Sequence, residues 1–313
     1  MQVLEIEKPI PSAQQVKVKM VSSRINPVDM DLMKGFPSLK YKTPQIGGID
    51  GAGVILEVGS HVLQFKPGDK VFFYRKFSDI GTWAEEICVH QSDIAKIPDN
   101  ISVEEAGSLS LPLLTAFESL QRLQPKPGDR ILLHGAGGGV GYIAVHLAKQ
   151  LGLKVVAHAS ERDRQKLEKA GIDMFIDYKR QDFYQELRST KIEYVFDIMG
   201  GETLSKSIQL RPLKVVSIKY IAIDQMHKAG VALPGILKWI MRMMMWKFDK
   251  LAKRHGVELI GQVTGANGLL LQQAAEKIQQ LPSFSPNPYQ TLSLQQIASK
   301  GLNPSDVGKV IVF

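Results

Sequence analysis

The chain has 313 residues, enough for two domains with separate cores. Its 44% apolar and 22% charged content is that of an ordinary α/β protein, and it has no uninterrupted apolar run of the roughly 18 residues that a spanning helix needs. The net charge of +8 comes without a nucleic-acid motif or aromatic residues interleaved in a basic groove; it reads as a solvated basic surface that helps draw in an anionic cofactor, with no nucleic-acid partner.

The N-terminus, Met1-Gln2-Val3-Leu4-Glu5-Ile6-Glu7-Lys8, lacks the basic start and apolar core of a secretion signal. Cys88 is the sole cysteine, which excludes an intramolecular disulfide and a cysteine-rich zinc site. A cytoplasmic location is expected. Short β-prone runs at 16–21, 53–58, 70–74 and 84–89 are punctuated by Gly47-Gly48 and Pro67-Gly68-Asp69, predicting a compact antiparallel β domain over 1–107. The pattern turns helical from 103 to 123.

The second domain, 108–280, is organised around Arg130-Ile131-Leu132-Leu133-His134-Gly135-Ala136-Gly137-Gly138-Gly139-Val140-Gly141. An apolar run breaks into five glycines within seven residues and then becomes a helical pattern, with Ile143, His146, Leu147 and Leu151 on or near one face. At such a strand–turn–helix junction the first-turn N–H groups, here those around Gly139 and Val140, and the helix dipole favour a diphosphate. Gly135, Gly138 and Gly141 are the candidates for the three glycine tasks: taking the turn, admitting the phosphates, and letting helix pack on strand. Strands near 153–158, 173–176, 192–198, 213–218 and 257–263 alternate with helices, one at 163–170 and an amphipathic one at 269–280, predicting an α/β fold with a doubly wound parallel Rossmann sheet. The tail, 281–313, ends in a strand-like segment that returns to the first domain.

Cofactor preference turns on the end of the second strand, His158-Ala159-Ser160-Glu161-Arg162-Asp163-Arg164. No acid stands at the strand end to hold a ribose 2′-hydroxyl, whereas Ser160, Arg162 and Arg164 suit a 2′-phosphate; NADPH is expected over NADH. Glu161 argues the other way, although as the first residue of a helix capped by Ser160 it has an ordinary structural task. Between 236 and 254, Trp239-Ile240-Met241-Arg242-Met243-Met244-Met245-Trp246-Lys247-Phe248 and further Lys and Arg residues read as a helix over a cleft or at a subunit interface, with membrane association the less favoured alternative.

Several segments together resemble the medium-chain dehydrogenase/reductase superfamily, in its zinc-independent quinone oxidoreductase (zeta-crystallin-like) branch. They are Ile25-Asn26-Pro27-Val28-Asp29, Gly47-Gly48-Ile49-Asp50-Gly51-Ala52-Gly53-Val54-Ile55, Phe65-Lys66-Pro67-Gly68-Asp69-Lys70-Val71, Leu111-Pro112-Leu113-Leu114-Thr115-Ala116, the glycine turn and Gly308-Lys309-Val310. The resemblance implies a GroES-like antiparallel β-barrel before the Rossmann domain, a homodimer, and hydride transfer from NADPH to a quinone or enone. An enoyl-thioester or alkenal reductase and a non-catalytic NADPH-binding scaffold are the alternatives. It also implies that a first strand or hairpin precedes the point where this sequence begins. Zinc-using relatives carry a Gly-His-Glu segment where this chain has Ile49-Asp50, and a cysteine near the place of Asn26, so no zinc is expected. By the same resemblance Thr115 lies against the nicotinamide and Tyr178 near the 2′-phosphate. Asn26 is the first candidate to donate to the substrate oxygen, with a turn cap before Pro27 as its alternative. Tyr41 is the second, with an ordinary core or surface tyrosine as its alternative. Asp29 and Asp50 support the network, with a direct acid/base role for either left open.

Overall fold

A computed structural model gives the fold and describes residues 2–35, 45–281, 284–286 and 289–313. Tyr41 lies outside the described residues. The chain divides into two compact units: 1–114, 227–232 and 265–313 form unit 1, and 115–226 and 233–264 form unit 2.

Among the described residues, unit 1 holds a seven-stranded, mostly antiparallel sheet built on β1 (Gln15–Arg24), followed by α1 (Pro27–Met33), β2 (Asp50–Val58), β3 (Lys70–Tyr74), β4 (Glu86–His90) and β5 (Ile94–Lys96), then α2 (Val103–Ala106) and the start of α3 (Ser110–Leu123). β1 pairs antiparallel with β2 along most of its length and with β4 over Gln15–Lys19. Register shifts at Lys17/Val18 and Met20/Ser22 bend it, as bulges do. Alternation places Val16, Val18 and Met20 inward against Ile55, Val71, Phe73 and Ile87. Gly53 is required there, because a Cβ would stand 2.1 Å from the Lys19 carbonyl oxygen.

Unit 2 takes α3 onward: β6 (Arg130–His134), α4 (Gly139–Gln150), β7 (Lys154–Ala159), α5 (Arg164–Lys169), β8 (Met174–Asp177), α6 (Phe183–Leu187), β9 (Tyr194–Asp197), α7 (Gly201–Gln209), β10 (Lys214–Ser217), α8 (Gly235–His255) and β11 (Glu258–Gly261). All strands run parallel in the order β11-β10-β9-β6-β7-β8, the doubly wound arrangement with its switch point between β6 and β9. Leu132, Val156, Val195 and Val215 stack across it into one core. α4 is not the one-faced helix of its sequence pattern: Gly141 through Ala148 are all buried, so it is apolar all round, whereas Leu151 is exposed. The helix predicted at 163–170 opens with a 3₁₀ turn over Glu161–Asp163.

The chain then returns to unit 1 with α9 (Gly268–Gln279), β12 (Thr291–Leu292), α10 (Leu294–Lys300) and β13 (Val310–Val312). α9, expected with the parallel sheet, packs on β5 instead: the Gln272 amide oxygen accepts from the Lys96 N–H at 2.9 Å, and a Cβ on Gly268 would meet the Ile94 carbonyl at 2.3 Å. β13 pairs antiparallel with β1 over Ser22–Arg24.

Candidate active site

The glycine turn assigns its residues by space. Gly135 has φ +63°, and a Cβ there would lie 2.6 Å from Ile198 Cδ1. A Cβ on Gly141 would come 2.3 Å from the Gly135 carbonyl oxygen, so the helix sits on the turn without clearance. Gly138, the N-cap of α4 at φ −80°, is exposed, and a Cβ there meets only the Gly135 oxygen, at 3.4 Å. Its Cα faces open ground. Gly139 and Val140 follow in the first helical turn, whose N–H groups have no partner within the helix. The far side of the turn is tied by residues with no local sequence signal: Lys166 donates to the Gly137 carbonyl at 2.8 Å and pairs with Asp163 at 2.8 Å.

A cleft of about 650 Å³ opens above this turn at the carboxyl ends of β6, β7, β8 and β9, a size suited to a cofactor. Gly135, Gly138, Ser160, Arg162 and Tyr178 all line it. The Ser160 hydroxyl makes no capping bond, contrary to the sequence expectation, and lines the cleft instead. Arg162 is 85% exposed at the rim, beside Lys179, Arg180 and Lys206. Arg164 does not line the cleft. Its guanidinium forms two bonds to Glu161, at 2.7 and 3.1 Å, and lies over the Phe175 ring at 4.1 Å. An acid three residues before an arginine on one helical turn pairs with it, and the pair holds Arg164 off the cleft wall.

Two further groups shape the floor. Asp197, fully buried at the end of β9, accepts from the Met199 and Gly200 N–H groups at 3.0 Å and from the Ser217 hydroxyl at 2.7 Å. It holds the turn that brings Ile198 and Met199 to the cleft. Beneath lies a chain of hydrogen bonds whose direction is set at one end. Ser207 spends its proton on the Thr203 carbonyl at 2.7 Å, so it accepts from His134 Nε2 at 2.8 Å; His134 Nδ1 then accepts from His158 Nδ1, also at 2.8 Å. Burial keeps both rings neutral, holding His158 down to about 4 and His134 well below its ordinary value. Thr115, on α3, is buried, its hydroxyl 2.9 Å from that of Thr264.

Unit 1 gathers Asn26, Asp29 and Asp50 into a buried cluster. Pro27 opens α1, and Asp29 in its first turn accepts from the Asn26 N–H at 2.7 Å. The Asn26 amide donates one hydrogen to Asp50 Oδ1 at 2.9 Å; its other contact, the Arg24 carbonyl, is at 3.5 Å. Burial raises Asp50 to about 7 against the opposing charge of Arg24. Asp29 rises well above the ordinary carboxylate range, through burial and then the charge of Asp50, and its Oδ1 has no partner. Among the described residues no three His, Cys, Asp or Glu side chains come together as a metal site.

Two family models match in order: an alcohol dehydrogenase GroES-like domain over residues 12–99 and a zinc-binding dehydrogenase domain over 139–212. The chain is 35% identical over 205 residues to 2-methylene-furan-3-one reductase of Solanum lycopersicum, a match spanning 62% of this chain and 52% of that one. It is 28% identical over 214 residues to quinone oxidoreductase of Mus musculus, spanning 66% and 64%. The chain thus spans about half to two-thirds of the length of these curated relatives. The structure superposes on Escherichia coli quinone oxidoreductase complexed with NADPH with a TM-score of 0.75 at 22% identity, covering 100% of this chain and 95% of that one.

Proposed function

The chain belongs to the medium-chain dehydrogenase/reductase superfamily, and from that premise we propose that it reduces a quinone or another α,β-unsaturated carbonyl with NADPH and without zinc. The observation that carries this reading is the open ground over Gly138 at the N-terminus of α4, continuous with a cleft whose rim bears Ser160, Arg162 and Tyr178. That arrangement suits a diphosphate joined to a 2′-phosphorylated ribose. The E. coli neighbour was solved with NADPH, and the tomato relative is named as the reductase of a methylene-furanone.

Bound NADPH would supply a hydride to the β carbon of the acceptor, leaving charge on the conjugated oxygen. Gly138 admits the diphosphate, the first turn of α4 meets it with N–H groups, and Ser160 and Arg162 take the 2′-phosphate, with Tyr178 beside it. Thr115 borders the nicotinamide. In unit 1 the Asn26 amide steadies the substrate oxygen with the hydrogen not committed to Asp50, and Asp29 and Asp50 hold that amide in place. Tyr41 is the second donor, and its phenol gives up the proton that completes the reduction. A neutral donor suffices because an enolate or phenolate oxygen needs less stabilisation than an alkoxide, so chemistry can proceed with no metal.

The test is a titration with NADPH and NADH, then NADPH oxidation against benzoquinone, phenanthrenequinone, an alkenal and an enoyl thioester. Tight NADPH binding with turnover on a quinone or enone is expected. Binding without turnover on any of the four refutes the reductase reading in favour of a nucleotide-holding scaffold.

A further inference from the structure

α8 buries only Met245, Phe248 and Ala252, on the side that meets α7 and β11. On the opposite side of the helix Ile236, Trp239, Ile240, Met243 and Trp246 are exposed, from 44% for Ile240 to 74% for Ile236, with Met244 exposed on the flank. A packing helix has one apolar face; this one has a second, facing out. Farther along that side come Lys247, Lys250 and Arg254, so the outward surface is apolar over the first turns and cationic over the last. The helix carries six Lys and Arg against one acid, Asp249, a net +5 in a chain of net +8. That acid accepts a hydrogen bond from the Tyr220 hydroxyl.

We propose that this outward face of α8 seats the protein on an anionic lipid surface, with the tryptophans and methionines entering the headgroup boundary and the lysines and arginines meeting lipid phosphates and carboxylates. The chemistry of the face separates this occupant from two others. A second copy docked through the same patch about a two-fold axis would bring one +5 helix onto another. A protein partner would suit the tryptophans and methionines but would have to cover Lys247 and Lys250, a residue type depleted at such interfaces, whereas an anionic lipid surface suits both halves of the face. Exposed tryptophan beside Lys and Arg is the composition of helices that lie in the membrane interface. No helix among the described residues is long and apolar enough to cross a membrane, so the association is peripheral.

The test is co-sedimentation of the full chain with phosphatidylcholine vesicles and with vesicles that also contain phosphatidylserine, read alongside tryptophan emission. Of the three tryptophans, Trp83 is buried and Trp239 and Trp246 are exposed, so a change in emission reports on α8. The protein should pellet only with the phosphatidylserine vesicles, with a blue shift of emission, and come off as salt rises. Lys247→Glu/Lys250→Glu/Arg254→Glu should weaken partitioning on the order of a hundredfold or more. Trp239→Ser/Trp246→Ser should weaken it while keeping the melting temperature, since both side chains are exposed. Wild-type protein left in the supernatant with both vesicle types overturns the proposal, as does equal binding to both or undiminished binding of the charge-reversed variant. A blue shift that grows with protein concentration without vesicles overturns it in favour of a second copy.

Discussion

Gly138→Asp should drive folding stability and cofactor binding in opposite directions. The position is the N-cap of α4, with φ −80° and ψ 176°, a conformation open to any residue, and a new side chain meets only the Gly135 oxygen, at 3.4 Å. Asp is a preferred N-cap, and a negative charge there complements the helix dipole, so stability should hold or rise by up to about 1 kcal/mol. The same carboxylate would occupy the ground assigned to the diphosphate. At about 4 Å each phosphate charge is opposed by roughly 1 kcal/mol in a watery setting and about 4 kcal/mol near a protein surface, so NADPH affinity should fall tenfold at the least and more than a hundredfold if the cleft closes over it. Gly141→Ala is the counterpart. Its methyl would press on backbone 2.3 Å away. Overpacking of about 1–3 kcal/mol or more exceeds the roughly 1 kcal/mol that Ala gains over Gly in a helix, so that variant should lose stability. Urea unfolding and NADPH fluorescence titration on the two variants and wild type give the comparison. If Gly138→Asp binds NADPH as wild type does, the cofactor does not lie over this turn and the site assignment fails.

Arg162→Glu should narrow the preference for NADPH over NADH, whereas Arg164→Glu should leave the ratio of affinities unchanged, because Arg164 is held by Glu161 and Phe175; an effect of the second variant and none of the first would reverse the assignment. Asn26→Ala should lower kcat on a quinone by about a hundred- to a thousandfold, the cost of one donor worth roughly 2.7–4 kcal/mol, with NADPH affinity kept; unchanged kcat removes Asn26 from the chemistry. The two units should also answer pH with opposite signs. Folded Asp50 keeps its proton to about 7 while the unfolded residue releases it near 4, so unit 1 loses up to about 4 kcal/mol as pH rises across that window. Folded His158 protonates only near 4, whereas the unfolded residue does so near 6.5, so unit 2 loses up to about 3 kcal/mol as pH falls through that range. Amide exchange of β1 and β2 against that of β6 and β7 between pH 5 and 6.5 reads the two trends; equal signs would refute the assignment, and Asp50→Asn and His158→Asn should each flatten one of them.

What could be read from the sequence was whatever repeats with a period or sits in a fixed order. Apolar runs such as Ile131–Leu133 and Val155–Ala157 announce parallel strands, and the glycines between them announce the turn, because both follow from backbone sterics over a few residues. Contacts set by distant chain were not legible. Nothing around Arg164 tells which of Glu161, Phe175 or a ligand will hold it. Asp163, Lys166 and Asp197 carry no motif, and their roles arise only when the sheet brings their loops together. The Ser207–His134–His158 chain joins residues from three elements, and α9 reads as a sheet-covering helix until its packing partner, β5, is known.

The discontinuity of unit 1 bears on how the chain is made. Unit 2 has all of its strands once residue 261 has been synthesised. Unit 1 waits for β13, whose Val310–Val312 pair with Ser22–Arg24 of β1, translated far earlier. At about 5–20 residues per second the interval between the two is roughly 15–60 s. Throughout it the end of β1 is an open edge with unpaired N–H and C=O groups, a template for neighbouring nascent chains. Val310–Val312 therefore cover that edge of β1, and removing them should raise the tendency of the chain to aggregate.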